Sequence, residues 1–327
     1  MRVLSGLILA ELVLAAAAAL AAPESGQLAQ ANAALQAGEA DKALALLNPL
    51  ANPAKPGGRA EAYNLRCRVE YMLEQWDRAA NDCEQAVKLD GQNSDDHLWL
   101  GRALGEKASR ASFLSAYSLA KRVRTEFEEA ARLNPRNTAA LATLGEYYDS
   151  APAVVGGGIS KSEKVAAQLE RIDPARAHEL RGKIAEQRKD YGTAERELKQ
   201  AITVSAHPAL QWMTLAAFYR RRERWTEMES AVSSGENAAQ RDKHAGVALY
   251  NGASVLIETK RDTARAAKML EDYLGNSIKT EEAPAFVART WLARLKQQLG
   301  DAAAASRERS AALALAHEYK PAQEMKF

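Results

Sequence analysis

Residues 60–92 read AEAYNLRCRVEYMLEQWDRAANDCEQAVKLDGQ, and this stretch decides the fold. Apolar side chains recur three and four apart on either side of Glu74-Gln75-Trp76, the spacing of two amphipathic helices around a turn. Small residues are placed as regularly: Cys67 in the first helix, Ala79 opening the second, and Ala86 seven residues on. Two helices approach closely only where neither presents a large side chain, so small residues at matching levels permit tight antiparallel packing. In such a hairpin, residues equidistant from the turn share a level. Cys67 and Cys83 stand eight before and eight after residue 75, which sets them face to face. They are expected to form a disulfide in an oxidising compartment and to remain two buried thiols otherwise.

The same scheme recurs outward from this unit. Ala31, Cys67, Gly101, Gly145, Gly182, Ala216, Gly252 and Ala293 occupy the first small site, at successive gaps of 36, 34, 44, 37, 34, 36 and 41 residues. A period of this length across an Ala-rich chain, with β-branched alternation almost absent, is the signature of stacked helical hairpins. The units that carry Leu100-Gly101 with Ala130 and Pro135, Leu144-Gly145 with Pro174, and Gly182 with Tyr191, Ala194 and Ala201 resemble the tetratricopeptide repeat (TPR) family. Trp212, Leu215, Ala216 and Tyr219 form another such first helix. The resemblance runs from about residue 26 to 316 and implies an all-α, right-handed superhelical solenoid of about eight units. It is specific for fold and says little about activity.

The chain divides into residues 1–22 and a single solenoid over 23–327. Arg2 precedes an almost wholly apolar run, Val3 to Ala22, ending in the small-x-small pattern Ala19-Leu20-Ala21. This reads as a signal peptide cleaved after Ala21, with a retained membrane anchor as the lesser alternative. Glu11 weighs against a permanent span, since a carboxylate in mid-bilayer costs roughly 2.5–3.5 kcal/mol on insertion scales. The mature chain is therefore expected to be exported, periplasmic or secreted, touching a membrane only through this segment if it is uncleaved.

Composition narrows the function. Hydrophobic residues at 47% and charged residues at 26% exclude a disordered or collagen-like chain. Lys plus Arg number 44 against 42 Asp plus Glu, and a net charge of +2 gives no electrostatic case for nucleic acid. The five histidines, His97, His178, His207, His244 and His317, are scattered, and no HExxH, GxSxG or Cys-His arrangement occurs. Asp95, Asp96 and His97 fall where a helix starts, where acidic residues favour the macrodipole. No enzyme activity, metal or cofactor is expected.

Two insertions break the period, near residues 105–117 and 151–158. The first, within GEKASRASFLSAYSLAK (105–121), is expected to lengthen both helices of the third unit, with Phe113, Leu114, Tyr117 and Leu119 packing over the edge of the solenoid. The second places Gly156, Gly157 and Gly158 ahead of Ser160-Lys161-Ser162-Glu163, a capping-box pattern. Free amides there, with Lys161, are a candidate anion or small-ligand loop. The plainer reading is a long turn in which Val154 and Val155 plug into the core.

Stacked hairpins leave a concave wall lined by first helices. The positions just after the small sites place Arg68, Tyr71, Arg102, Glu146, Asp149, Lys183, Glu186, Arg220 and Arg221 on that wall. Mixed charge with a few apolar anchors suits a peptide or protein segment better than a uniform polyanion. The expectation is a non-catalytic interaction scaffold in the cell envelope, with a ligand-binding protein built on the Gly156–Gly158 loop as the alternative.

Overall fold

The computed structural model describes residues 25–52, 59–242 and 244–326, and residues 1–22 lie outside them. Among the described residues all regular structure is helical. Eight helix pairs follow one another: α1 (25–37) with α2 (Ala40–Leu47), α3 (Ala60–Met72) with α4 (Trp76–Leu89), α5 (Ser94–Arg110) with α6 (Phe113–Leu133), and α7 (Thr138–Ser150) with α8 (Ile159–Leu169). Then come α9 (Pro174–Gln187) with α10 (Tyr191–Val204), α11 (Ala209–Arg221) with α12 (Trp225–Ala239), α13 (Gly246–Thr259) with α14 (Thr263–Gly275), and α15 (Ala285–Gln298) with α16 (Ala302–Leu315). A short 3-10 turn, Ala153–Val155, separates α7 from α8, and α17 (Lys320–Gln323) follows the last pair.

All eight small sites are buried in the first helix of their pair. Their smallness is what lets the helices meet. A methyl group on Gly101 would overlap the Phe127 ring of its own partner helix, and one on Gly145 would overlap Leu180 of the next unit. A methyl on Gly252 would strike Met269 and come within 2.9 Å of Met213 in the unit before. Between Cys67 and Cys83 the contact is covalent: they form a disulfide with Cα atoms 5.4 Å apart, joining α3 to α4. Closing a loop of this length contributes on the order of 3 kcal/mol in the chain-entropy model.

Seven of the eight pairs turn through a left-handed residue, Gly38, Glu74, Gly156, Lys189, Glu223, Lys260 and Gly300, with Asp262 a second one in the seventh pair. In most of them the next residue donates back across the helix end, as Gln75 N does to Glu70 O at 2.9 Å and Arg224 N to Tyr219 O at 2.9 Å. This is the Schellman closure that satisfies the last carbonyls of a helix. The third pair is the exception, its longer α5 and α6 meeting at Ala111 and Ser112.

The stack turns back until its ends meet. Leu28, Ala31 and Leu35 share a core with Phe286, Ala312, Ala316 and Tyr319. Polar contacts follow the same seam: the Arg68 guanidinium donates to both oxygens of Glu281 at 2.8 and 2.6 Å, and Gln75 and Arg78 donate to Glu318 at 2.7 and 2.9 Å. The His317 ring pairs with Asp41 at 2.8 Å.

A left-handed residue with a side chain costs roughly 1–2 kcal/mol, part of which glycine returns as extra unfolded-state entropy. Glu223 is exposed and left-handed, at φ 56°. Glu223→Gly is therefore expected to raise stability by about 0.5–1 kcal/mol in urea unfolding; a loss of stability would contradict the assigned turn.

Candidate functional site

The wall positions separate into two groups. Arg68, Tyr71 and Arg102 lie on α3 and α5, and Arg68 reaches across the closing seam. Arg68 is held by Glu281, and both side chains are largely buried. The Tyr71 ring packs edge-on against Trp76 and Trp99, and its hydroxyl donates to Glu106 at 3.4 Å. Burial, then the Glu106 carboxylate, pushes its pKa up to about 12. The Arg102 guanidinium lies 4.5 Å over Trp99, and burial holds its pKa below the usual value. Arg68 thus joins the second unit to the loop before α15, while Tyr71 packs the second unit on the third.

Glu146, Asp149, Lys183, Glu186, Arg220 and Arg221 come together on α7, α9 and α11. All of these charges except Asp149 meet an opposite charge about one repeat period away. Lys183 pairs with Glu146, Arg221 grips Glu186 through two bonds of 2.9 and 2.7 Å, and Arg220 pairs with Glu258 of α13. This ladder borders two adjoining recesses that share Lys183, Glu186 and Arg221. One, of 570 Å³, lies between Glu146, Asp149, Lys189, Tyr191 and Arg222; the other, of 280 Å³, is lined by Met213, Arg220, Asn251 and Glu258. Three buried polar atoms at these walls have no hydrogen-bond partner: Asp149 Oδ1, Arg220 Nε and Arg222 Nε. Desolvation raises the Asp149 pKa, with Lys183 opposing. An unmet acceptor and an unmet donor on Asp149 and Arg222, residues of the larger recess, and a second unmet donor on Arg220 of the adjoining one match the alternating N–H and C=O groups of an extended chain.

The glycine loop does not offer free amides. Gly156 N donates to Ala153 O at 2.9 Å, Gly157 N to Pro152 O at 3.2 Å, and Gly158 N to Tyr148 O at 2.7 Å. Lys161 Nζ donates to Gly156 O at 2.8 Å, so the loop satisfies itself and the anion reading is corrected. A Cβ on Gly157 would overlap the Ala151 carbonyl oxygen, which is why glycine stands there. No capping box forms, because α8 starts at Ile159 and Ser162 instead donates to Gly145 O at 2.9 Å. Val155 is buried as expected, but Val154 is exposed. The first insertion needs a similar correction. Phe113 and Leu114 are 86% and 80% exposed and pack over no edge, since they stand at the tip of a hairpin that outreaches its neighbours.

At the start of α5, Asn93 caps the helix by accepting from Asp95 N at 2.9 Å, and His97 Nδ1 lies 2.6 Å from Glu126. Among the described residues no three His, Cys, Asp or Glu side chains are grouped to hold a metal ion.

Helix pairs nested through small residues, turned by Schellman closures and stacked in series define an all-α helical-repeat protein. No protein-family model matches the chain, and no curated protein does. Among solved structures it is similar to a thermophilic TPR protein of Thermus thermophilus, 19% identical over 60% of this chain and 98% of that one, with a TM-score of 0.47. It is similar also to a tetratricopeptide repeat protein from Parabacteroides merdae, 12% identical over 84% and 98%, TM-score 0.46. The C-terminal part of a TPR repeat-containing protein from Cytophaga hutchinsonii is 15% identical over 92% and 100%, TM-score 0.41. These likenesses concern the fold.

One group gave no sequence signal. Glu70 is buried in α3 beside the Arg66–Asp82 pair, where Arg66 also donates to Ala51 O at 3.1 Å. Burial, then the Asp82 carboxylate, pushes the Glu70 pKa up to about 8. The native chain thus keeps a proton that the unfolded chain releases in the ordinary carboxylate range. Its contribution to stability is full below that range and is lost as pH rises toward 8. Glu70→Gln is expected to flatten the fall in urea-unfolding stability between pH 5 and 8; an unchanged slope would show that Glu70 is ionised throughout.

Proposed function

We propose that the protein is a non-catalytic interaction scaffold that holds an extended peptide segment of a partner protein in the recess between α7 and α13. The observation that carries this reading is the set of unpaired buried atoms on two adjoining recesses, Asp149 Oδ1 and Arg222 Nε at the larger and Arg220 Nε at the smaller. A buried polar atom without a partner costs about 1–3 kcal/mol, and a bound backbone relieves that cost. The ion-pair ladder neutralises the wall, which favours a segment without strong net charge over a polyanion. Arg68 stays outside the proposed binding surface because Glu281 holds it at the seam.

Asp149→Leu separates the binding role from a structural one. It removes the unpaired acceptor, so the free protein is expected to keep or gain stability, by up to about 1 kcal/mol. Peptides selected on the wild-type protein from a random displayed library are expected to bind the variant roughly tenfold more weakly. Unchanged affinity would move the site elsewhere.

Export to the cell envelope is part of the same proposal. The disulfide supports it, because such bonds persist in oxidising compartments. Protein recovered from its native cells is expected to begin at Ala22 when its N-terminus is read by mass spectrometry, and an intact Met1 would count against cleavage.

A further inference from the structure

The two departures from the repeat period meet in space. The 3-10 turn Ala153–Val155 packs on α6, and the Tyr147 hydroxyl bridges them, 2.8 Å from Ala120 O and 2.9 Å from Val155 O. The Arg124 side chain fills the place a Cβ on Gly156 would take. Together the insertions build one raised surface, with Phe113 and Leu114 at its far end and Tyr117 and Val154 also exposed.

The two segments carry charge of one sign. Residues 107–124 and 151–161 contain Lys107, Arg110, Lys121, Arg122, Arg124 and Lys161 and no acidic residue, in a chain whose totals nearly balance. Four of these cations reach acids outside the two segments: Lys107 to Asp77, Arg110 to Glu106, Arg122 to Glu84 and Arg124 to Glu128. The other two do not: Lys121 lies over the Tyr117 ring and Lys161 donates to the Gly156 carbonyl. Exposed ion pairs contribute little, so the paired cations can change partners at small cost.

We propose that this composite tip docks on an anionic lipid surface, with Phe113 and Leu114 entering the acyl boundary and the cations behind them meeting headgroup phosphates. The spacing fits. From Phe113 to Lys121 the helix rises about 12 Å, which sets the basic collar at headgroup level when the tip is buried. Side chains exposed by 86% and 80% form a convex end, suited to entering a soft interface more than to filling a protein groove. The contact is peripheral, since no described helix is long and apolar enough to cross a membrane. It is separate from the peptide recess and does not depend on it.

The disulfide leaves no free thiol in the chain, so a polarity-sensitive dye can be placed at a single site in the full-length protein. Ser115→Cys reports on the tip, and Gln200→Cys on α10 serves as the distant control. With vesicles of phosphatidylcholine and phosphatidylglycerol, the dye at 115 is expected to shift to the blue and the dye at 200 to stay unchanged. Phosphatidylcholine alone is expected to give little shift. Phe113→Ser with Leu114→Ser, at positions too exposed to affect folding, is expected to abolish the shift and to raise the lipid concentration needed for any residual change roughly tenfold. The proposal is overturned if the dye at 115 stays in water while other parts of the chain bind the vesicles. It is equally overturned if the double serine variant shifts like the parent, if neutral vesicles act as well as anionic ones, or if only a soluble acidic peptide produces the shift.

Discussion

Everything in this molecule depends on how closely two helices can lie when one of them lacks a side chain at the crossing. At Gly101 the Phe127 ring occupies the space a Cβ would need, and at Gly145 and Gly252 the neighbouring Leu180 and Met269 do the same. These contacts place apolar atoms against backbone, where packing density is high and each methylene is felt. Because some of them lie within a pair and others between pairs, one kind of residue fixes both the hairpin and the stacking of hairpins. The cores that result run without interruption through successive units, with Leu198 and Met213 in one and Leu144 and Leu180 in the next.

Regular stacking also decides where charges fall. Positions equivalent in successive units become neighbours on the inner wall, so Glu146 meets Lys183 and Glu186 meets Arg221. Such pairs hold the wall's side chains in place more than they stabilise the fold, since each is partly exposed. What stays unpaired is the basis of the proposed binding role: the Asp149 oxygen and Arg222 Nε belong to residues of one recess to which three consecutive units contribute, and Arg220 Nε to a residue of the recess beside it.

Much of the fold was legible in the sequence, and the reasons for the gaps are physical. Small residues at a near-constant spacing announced eight units, since no other residue type fits the crossing. The turns were less legible. Glu74, Lys189, Glu223 and Lys260 adopt the left-handed conformation without being glycine, their strain outweighed by the helices they join. Sequence position placed Glu146, Lys183, Glu186 and Arg221 on one wall but gave no sign of their pairing, which requires the offset between adjacent units. Arg68 was read as free wall because Glu281 lies in a loop with no period to place it. Phe113 and Leu114 misled because helical spacing shows which face is apolar but not whether anything covers it. The glycine loop misled because three glycines look the same whether their amides are free or turned inward on Ala153, Pro152 and Tyr148.

The meeting of the first and last units has one more consequence. An open solenoid behaves as a one-dimensional array whose outermost members fray first, each lacking a neighbour on one side. Here Phe286 and Tyr319 supply that missing neighbour to Leu28 and Leu35, and Glu281 clasps Arg68 across the join. The described array behaves as a loop without outermost members, so melting has no preferred place to begin and one weak hairpin is braced from both directions.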